Sequence, residues 1–137
     1  MNRADLQRVA VRRLDAANTL IPSGHWDSAY YLAGYAIECG LKACIARQFR
    51  EFDFPDKKTV LDSYTHDLSK LVKTAGLEQK LKSATDESDD FKLNWATVKD
   101  WSEDSRYEER SKIDATEMIE AIKDAQHGVL EWIKRYW

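Results

Sequence analysis

Between His25 and Ala46 the chain reads HWDSAYYLAGYAIECGLKACIA. Its apolar positions fall at alternating steps of three and four: Ala29, Leu32, Ala33, Ala36, Ile37, Gly40, Leu41, Cys44 and Ile45. That period puts them on one stripe of a helix. Most are small, so a neighbouring helix can approach the backbone closely. Off the stripe, Tyr31, Tyr35, Glu38 and Lys42 share a face of their own. Packing alone calls for no carboxylate and ammonium aligned with two tyrosines, so this polar line is the leading candidate surface for function. Glu38 precedes Lys42 by one turn, an orientation that supports a helix by ~0.2–0.5 kcal/mol.

The same period runs through the rest of the chain. A first helix is predicted over Ala4–Leu20, with Leu6, Val9, Ala10, Leu14 and Ala17 inward, and Pro22-Ser23-Gly24 breaks it. The second runs over Trp26–Phe49. A loop from Phe52 to Tyr64, containing Pro55, leads to a short helix over His66–Thr74, with Thr65 as N-cap and Gly76 as its stop. A charged helical stretch follows over Leu77–Ala84. The acidic run Asp86–Asp90 opens a helix over Phe91–Trp101, where carboxylates suit the N-terminal dipole. After the charged segment Ser102–Lys112, a capping box of Asp114 and Glu117 starts a last, continuous helix. Met118, Ile119, Ile122, Ala125, Gln126, Val129 and Ile133 are its inner stripe. No alternating strand pattern and no Asn-Gly or Asp-Gly hairpin occurs. The prediction is an all-α, single-domain fold over residues 1–137: an up-and-down bundle of four main helices plus one short helix, with largely antiparallel neighbours.

A chain of 137 residues with 43% hydrophobic content and five tryptophans can build one real core. No apolar run approaches the ~20 residues a bilayer crossing needs, so no membrane partner is expected. The N-terminus lacks the apolar segment of a secretory signal. Cys39 and Cys44 sit five residues apart on one predicted helix. They face about 140° apart and cannot bridge. Free thiols of this kind suit a reducing compartment, and a cytoplasmic location is expected. Charge is uneven. Residues 1–50 hold seven Lys/Arg against four Asp/Glu, and residues 51–137 hold fourteen against twenty. The net charge of −3 argues against autonomous tight binding of duplex nucleic acid.

The familiar catalytic signatures are missing. The five glycines are scattered, so no phosphate loop forms, and there is no G-x-S-x-G elbow or His-Glu-x-x-His. The three histidines belong to three different elements. No ligand set for zinc stands out, and neither metal nor cofactor is expected.

The helix-two pattern A-x-Y-L-A-G-Y-A-x-E-x-x-L-K-A, the later His66-Asp67-Leu68 with Leu71, and the Trp101–Tyr107 segment ending in Arg106-Tyr107 occur in an order that resembles the HEPN domain family. These are small helical modules. The resemblance implies a homodimer and two alternative chemistries. Many members are metal-independent ribonucleases whose arginine is followed four to six residues later by a histidine. An imidazole moves the proton of a ribose hydroxyl and a guanidinium stabilises the phosphorane. None of the nine arginines here has a histidine at that offset. Other members are binding partners of minimal nucleotidyltransferases, in systems of the toxin–antitoxin type.

The expectation is therefore a binding module, with no catalytic residue assigned. Its ligand site would comprise Tyr31, Tyr35, Glu38, Lys42, His66, Arg106 and Tyr107. Arg106 and Lys42 would hold a nucleotide phosphate, the tyrosines would line the base, and Arg106 would reach back to Glu38 and Lys42 around a shared hollow. The partners expected are a nucleotide, a nucleotidyltransferase and a second copy of the chain; RNA has weaker support. Two other readings stay open. One is a ribonuclease toxin assembled from Arg106, Arg110 and His66. The other is a structural interaction protein whose polar line is an oligomer interface. Each residue also has a plainer role: Glu38 clamping Arg106, His66 capping its helix, and Tyr30, Tyr31 and Tyr35 packing in a core or interface.

Overall fold

The computed structural model describes residues 1–49 and 53–137, and among these all regular structure is helical. Helix α1 spans Arg3–Leu20, α2 Trp26–Arg47, α3 Lys57–Asp62, α4 Leu68–Thr74, α5 Glu78–Glu87, α6 Asp89–Lys99, α7 Lys112–Lys123 and α8 Val129–Ile133. A 3-10 turn covers Glu103–Tyr107. The predicted all-α bundle is the fold observed, with α1, α2, α6 and α7 as its main members.

Helix α2 is the hub. It packs along α1 and also touches α4, α7, α8 and the 3-10 turn. From Ala33 to Ile45 only Tyr35 and Lys42 escape full burial. The predicted stripe of small residues is therefore one side of a helix enclosed on nearly all sides. On the α1 side, Ala10 and Ala17 pack into a smooth seam, and Leu6, Ala10, Cys39 and Ala43 form a small cluster of their own. The opposite side meets Leu71, Val98, Met118, Ile122, Leu130 and Ile133 in the main core.

Several local expectations are corrected, each for a visible reason. Asp67, not Thr65, caps α4. Its carboxylate accepts from Lys70 N at 3.0 Å, and the Thr65 hydroxyl accepts from Asp67 N instead. His66 consequently stands outside the helix. Gly76, at φ 72°, closes α4 as expected, with Gly76 N donating to Lys73 O and Leu77 N to Val72 O. The predicted loop before Tyr64 carries α3, capped by Asp56; Phe52 lies outside the described residues.

The last helix is not continuous. Ser111, not Asp114, caps α7, and the chain leaves helical geometry at Asp124. There the Asp124 carboxylate accepts from Gln126 N and His127 N at 3.0 and 2.7 Å. These bonds to the charged form hold its carboxyl below the usual range. Ala125 and Gln126, predicted to face inward, are exposed. The break re-aims α8 so that Val129, Leu130, Trp132 and Ile133 are all buried. Tyr136 and Trp137 follow, half-buried against the core rather than free.

Trp101 marks where the 3-10 turn docks on α2. A Cβ at Gly34 would lie 2.2–2.3 Å from the Trp101 indole ring. The glycine is thus the seat of a buried tryptophan. Gly34→Ala is expected to destabilise the protein by roughly 1–3 kcal/mol, the cost of overpacking a filled core. Gly40→Ala, whose Cβ would meet Ile133 Cγ2 at 3.1 Å, should cost less. Urea denaturation of the two variants checks the order.

Candidate functional site

The polar line on α2 is the innermost layer of a covered site. Glu38 is only 2% exposed, in a helix otherwise buried among apolar groups. An isolated carboxylate there would be prohibitively costly, so it must be paired. Its Oε2 meets Lys42 Nζ at 3.3 Å, one turn along, and its Oε1 meets His66 Nδ1 at 2.8 Å. His66 reaches it because Asp67 begins α4 one residue later, leaving the imidazole on the connecting segment that crosses α2.

The other edge of the ring faces the 3-10 turn, where His66 Nε2 lies 3.2 Å from Glu103 Oε2. Carboxylates only accept, so the doubly protonated ring donates to both, and a neutral ring keeps one bond of the two. The resulting chain, Lys42–Glu38–His66–Glu103, joins α2, the α4 entry and the 3-10 turn. Around it Tyr31 stacks on Tyr35 with centroids 6.2 Å apart and packs on Trp101 at 5.8 Å. Desolvation drives the Tyr35 hydroxyl up to about 12 and the Cys39 thiol up to about 11, so both stay neutral and their protons are not available to chemistry near pH 7.

His66 opens on a groove of about 420 Å³ between the α4 entry and the segment Lys99–Asp104. Asp67, Asp100, Glu103 and Asp104 line it, with Lys99 as the single full cation. The HEPN domain family model matches residues 4–136. The chain belongs to the HEPN family. No match was found among curated proteins or among solved structures.

In this HEPN domain the fold brings together five of the seven residues singled out in the sequence: Tyr31, Tyr35, Glu38, Lys42 and His66. Arg106 and Tyr107 stand apart from them. Both are exposed, and the Arg106 guanidinium lies over its neighbour's ring at 4.9 Å. Among the described residues Arg106 has no ion pair, because His66 and Lys42 occupy the Glu38 oxygens. The expected closure of Arg106 onto Glu38 is thus corrected: histidine takes the place assigned to arginine. Arg110, grouped with Arg106 and His66 in the ribonuclease alternative, is engaged elsewhere. It lies 4.1 Å over the Tyr30 ring and pairs with Glu108, and its backbone N–H donates to Asp27.

Glu103 and Trp101 are the members that sequence reasoning left out of the site. The available signal was the acidic pair Glu103-Asp104 beside an unaccounted histidine.

His66→Ala leaves Glu38 with Lys42 alone and is expected to lower stability by about 1.5–3 kcal/mol, the worth of a hydrogen bond to a charged group. Glu103→Ala, at an exposed pair, should cost under about 1 kcal/mol. Equilibrium urea unfolding distinguishes the two. A second expectation concerns pH. Burial raises Cys39 to about 11 and Cys44 to about 12, against about 8.5 for an unfolded thiol. Above about pH 9 the unfolded chain gives up protons that the native state retains. Stability should therefore be insensitive to the thiols up to pH 8 and fall as pH rises towards 11–12. Denaturation midpoints at pH 8 and 10.5, for the native chain and a Cys39→Ala/Cys44→Ala variant, test the sign.

Proposed function

We propose that this HEPN domain is a binding module that engages a protein partner through the acidic groove beside His66, and that the partner is a minimal nucleotidyltransferase presenting a basic surface. The carrying observation is the groove's charge. Four carboxylates face a single lysine there, an arrangement that repels phosphate and attracts lysine or arginine side chains. The 3-10 turn that carries Glu103 and Asp104 supports the same reading. Arg106 and Tyr107 are held against each other in solvent, and these residue types dominate the energetics of protein interfaces. His66, paired with the buried Glu38, supplies a positioned edge of the groove. The nucleotide reading of this groove is weaker because a phosphate entering it would meet the carboxylates first. The ribonuclease alternative is weaker because its proposed histidine and arginines are not assembled.

The purified chain, mixed with the minimal nucleotidyltransferase encoded nearest to it, is expected to co-elute in gel filtration. Glu103→Lys/Asp104→Lys should weaken the complex at least tenfold, and Tyr107→Ala by a comparable amount. A complex indifferent to both variants, or none at all, would end the proposal. Incubation with RNA should yield no cleavage that His66→Ala removes.

A further inference from the structure

His66 meets two carboxylates in opposite surroundings. Glu38 Oε1 stands 2.8 Å from Nδ1, with its side chain only 3% exposed. Glu103 Oε2 stands 3.2 Å from Nε2, with its side chain 43% exposed. A carboxylate offers no proton, so each contact needs an N–H on the ring. The protonated ring has two and satisfies both acids. The neutral ring has one, and the surroundings decide which acid receives it. Glu38 is closed off from water, so losing its donor there carries the full desolvation cost of a buried charge. Water replaces the lost bond at Glu103. The single proton of the neutral ring therefore stays on Nδ1, and Nε2 turns a lone pair towards Glu103.

The charged groups around the ring come from four elements. Glu38 and Lys42 belong to α2, and Asp67 to the α4 entry. Lys99 and Asp100 stand at the end of α6, and Glu103 and Asp104 on the 3-10 turn. The phenols of Tyr31 and Tyr35 lie beside them on α2. Histidine is the one residue type in this set that ordinarily changes charge between about pH 5 and 8. Four carboxylates against Lys99 give the groove three net negative charges with the ring neutral and two with it protonated. Trp101 and Ser105, on either side of Glu103, are each 2% exposed and anchor the turn from within. The Glu103 side chain is thus the part released first.

We infer that His66 is a proton-operated catch on Glu103: protonated, the ring holds the Glu103 side chain and bridges the two walls of the groove; neutral, it stays on Glu38 as the Nδ1–H form and releases Glu103 to solvent. The groove is bridged and less acidic at low pH. At higher pH it is open and more acidic, and a cationic group entering it can take the freed carboxylate. The catch is a property of the chain alone and does not depend on which partner the groove receives.

Side-chain NMR of the full chain, titrated between about pH 5 and pH 9, tests it. The His66 ring nitrogens should both carry protons at the acid end, and Nδ1 alone should carry one at the alkaline end. The Glu103 side-chain couplings should report one rotamer at the acid end and rotamer averaging at the alkaline end, with the change following the His66 signals. Glu103→Gln keeps a partner for the ring in either state, because an amide oxygen accepts from the protonated ring and an amide nitrogen donates to the neutral one. In that variant the side chain should hold one rotamer throughout. His25→Gln, at an exposed histidine ahead of α2, should leave the Glu103 change intact. A neutral His66 protonated on Nε2, a ring that keeps one charge state over the whole range, or Glu103 couplings equal at both ends would each overturn the inference. So would rotamer averaging that persists in Glu103→Gln or disappears in His25→Gln.

Discussion

A single buried carboxylate governs how this small bundle is assembled. Glu38 sits in the middle of the most enclosed helix of the fold, where an uncompensated charge would cost several kcal/mol, a large share of a domain's typical stability margin. Its two oxygens therefore dictate the positions of groups distant in sequence. Lys42 answers from the same helix. His66 answers from the α4 entry, which brings that segment over α2 and sets where Leu68, Leu71 and Val72 enter the core. The histidine's second nitrogen then fixes the 3-10 turn through Glu103, close to where Trp101 rests on Gly34. Polar pairing and apolar packing thus act on the same two covering segments, and loss of either loosens both.

The bundle was readable in the sequence because helical periodicity reports burial directly. It was readable least where capping chemistry outranked periodicity. Asp124 interrupts an otherwise credible apolar stripe because its carboxylate satisfies two backbone N–H groups better than another helical turn would. The polar line of α2 was found from spacing alone, and His66 was matched to it through the family pattern. What spacing could not provide was the identity of Glu38's partner. An arginine-tyrosine pair in a charged loop and a histidine ahead of a helix are both plausible answers to a buried acid. The choice depends on which helix cap wins between Thr65 and Asp67, a difference of a few tenths to one kcal/mol.

Family membership and chemistry separate cleanly in this molecule. The HEPN match spans nearly the whole chain, yet the arginine-histidine spacing that supports cleavage in many such domains does not occur in it. Small residues on α2, a buried acid and a histidine to meet it serve packing and charge pairing within the fold. The surface charge beside His66 gathers into an acidic groove.

The interruption between α7 and α8 carries a further consequence. Five residues cannot sustain helicity alone. The terminal segment therefore keeps its shape only while Val129, Leu130, Trp132 and Ile133 remain docked. In a hydrogen-exchange experiment its amides would open as one unit, by undocking of the tail. Because Tyr136 follows directly on that segment, the same opening would also release Lys80 of α5 from its place over the Tyr136 ring.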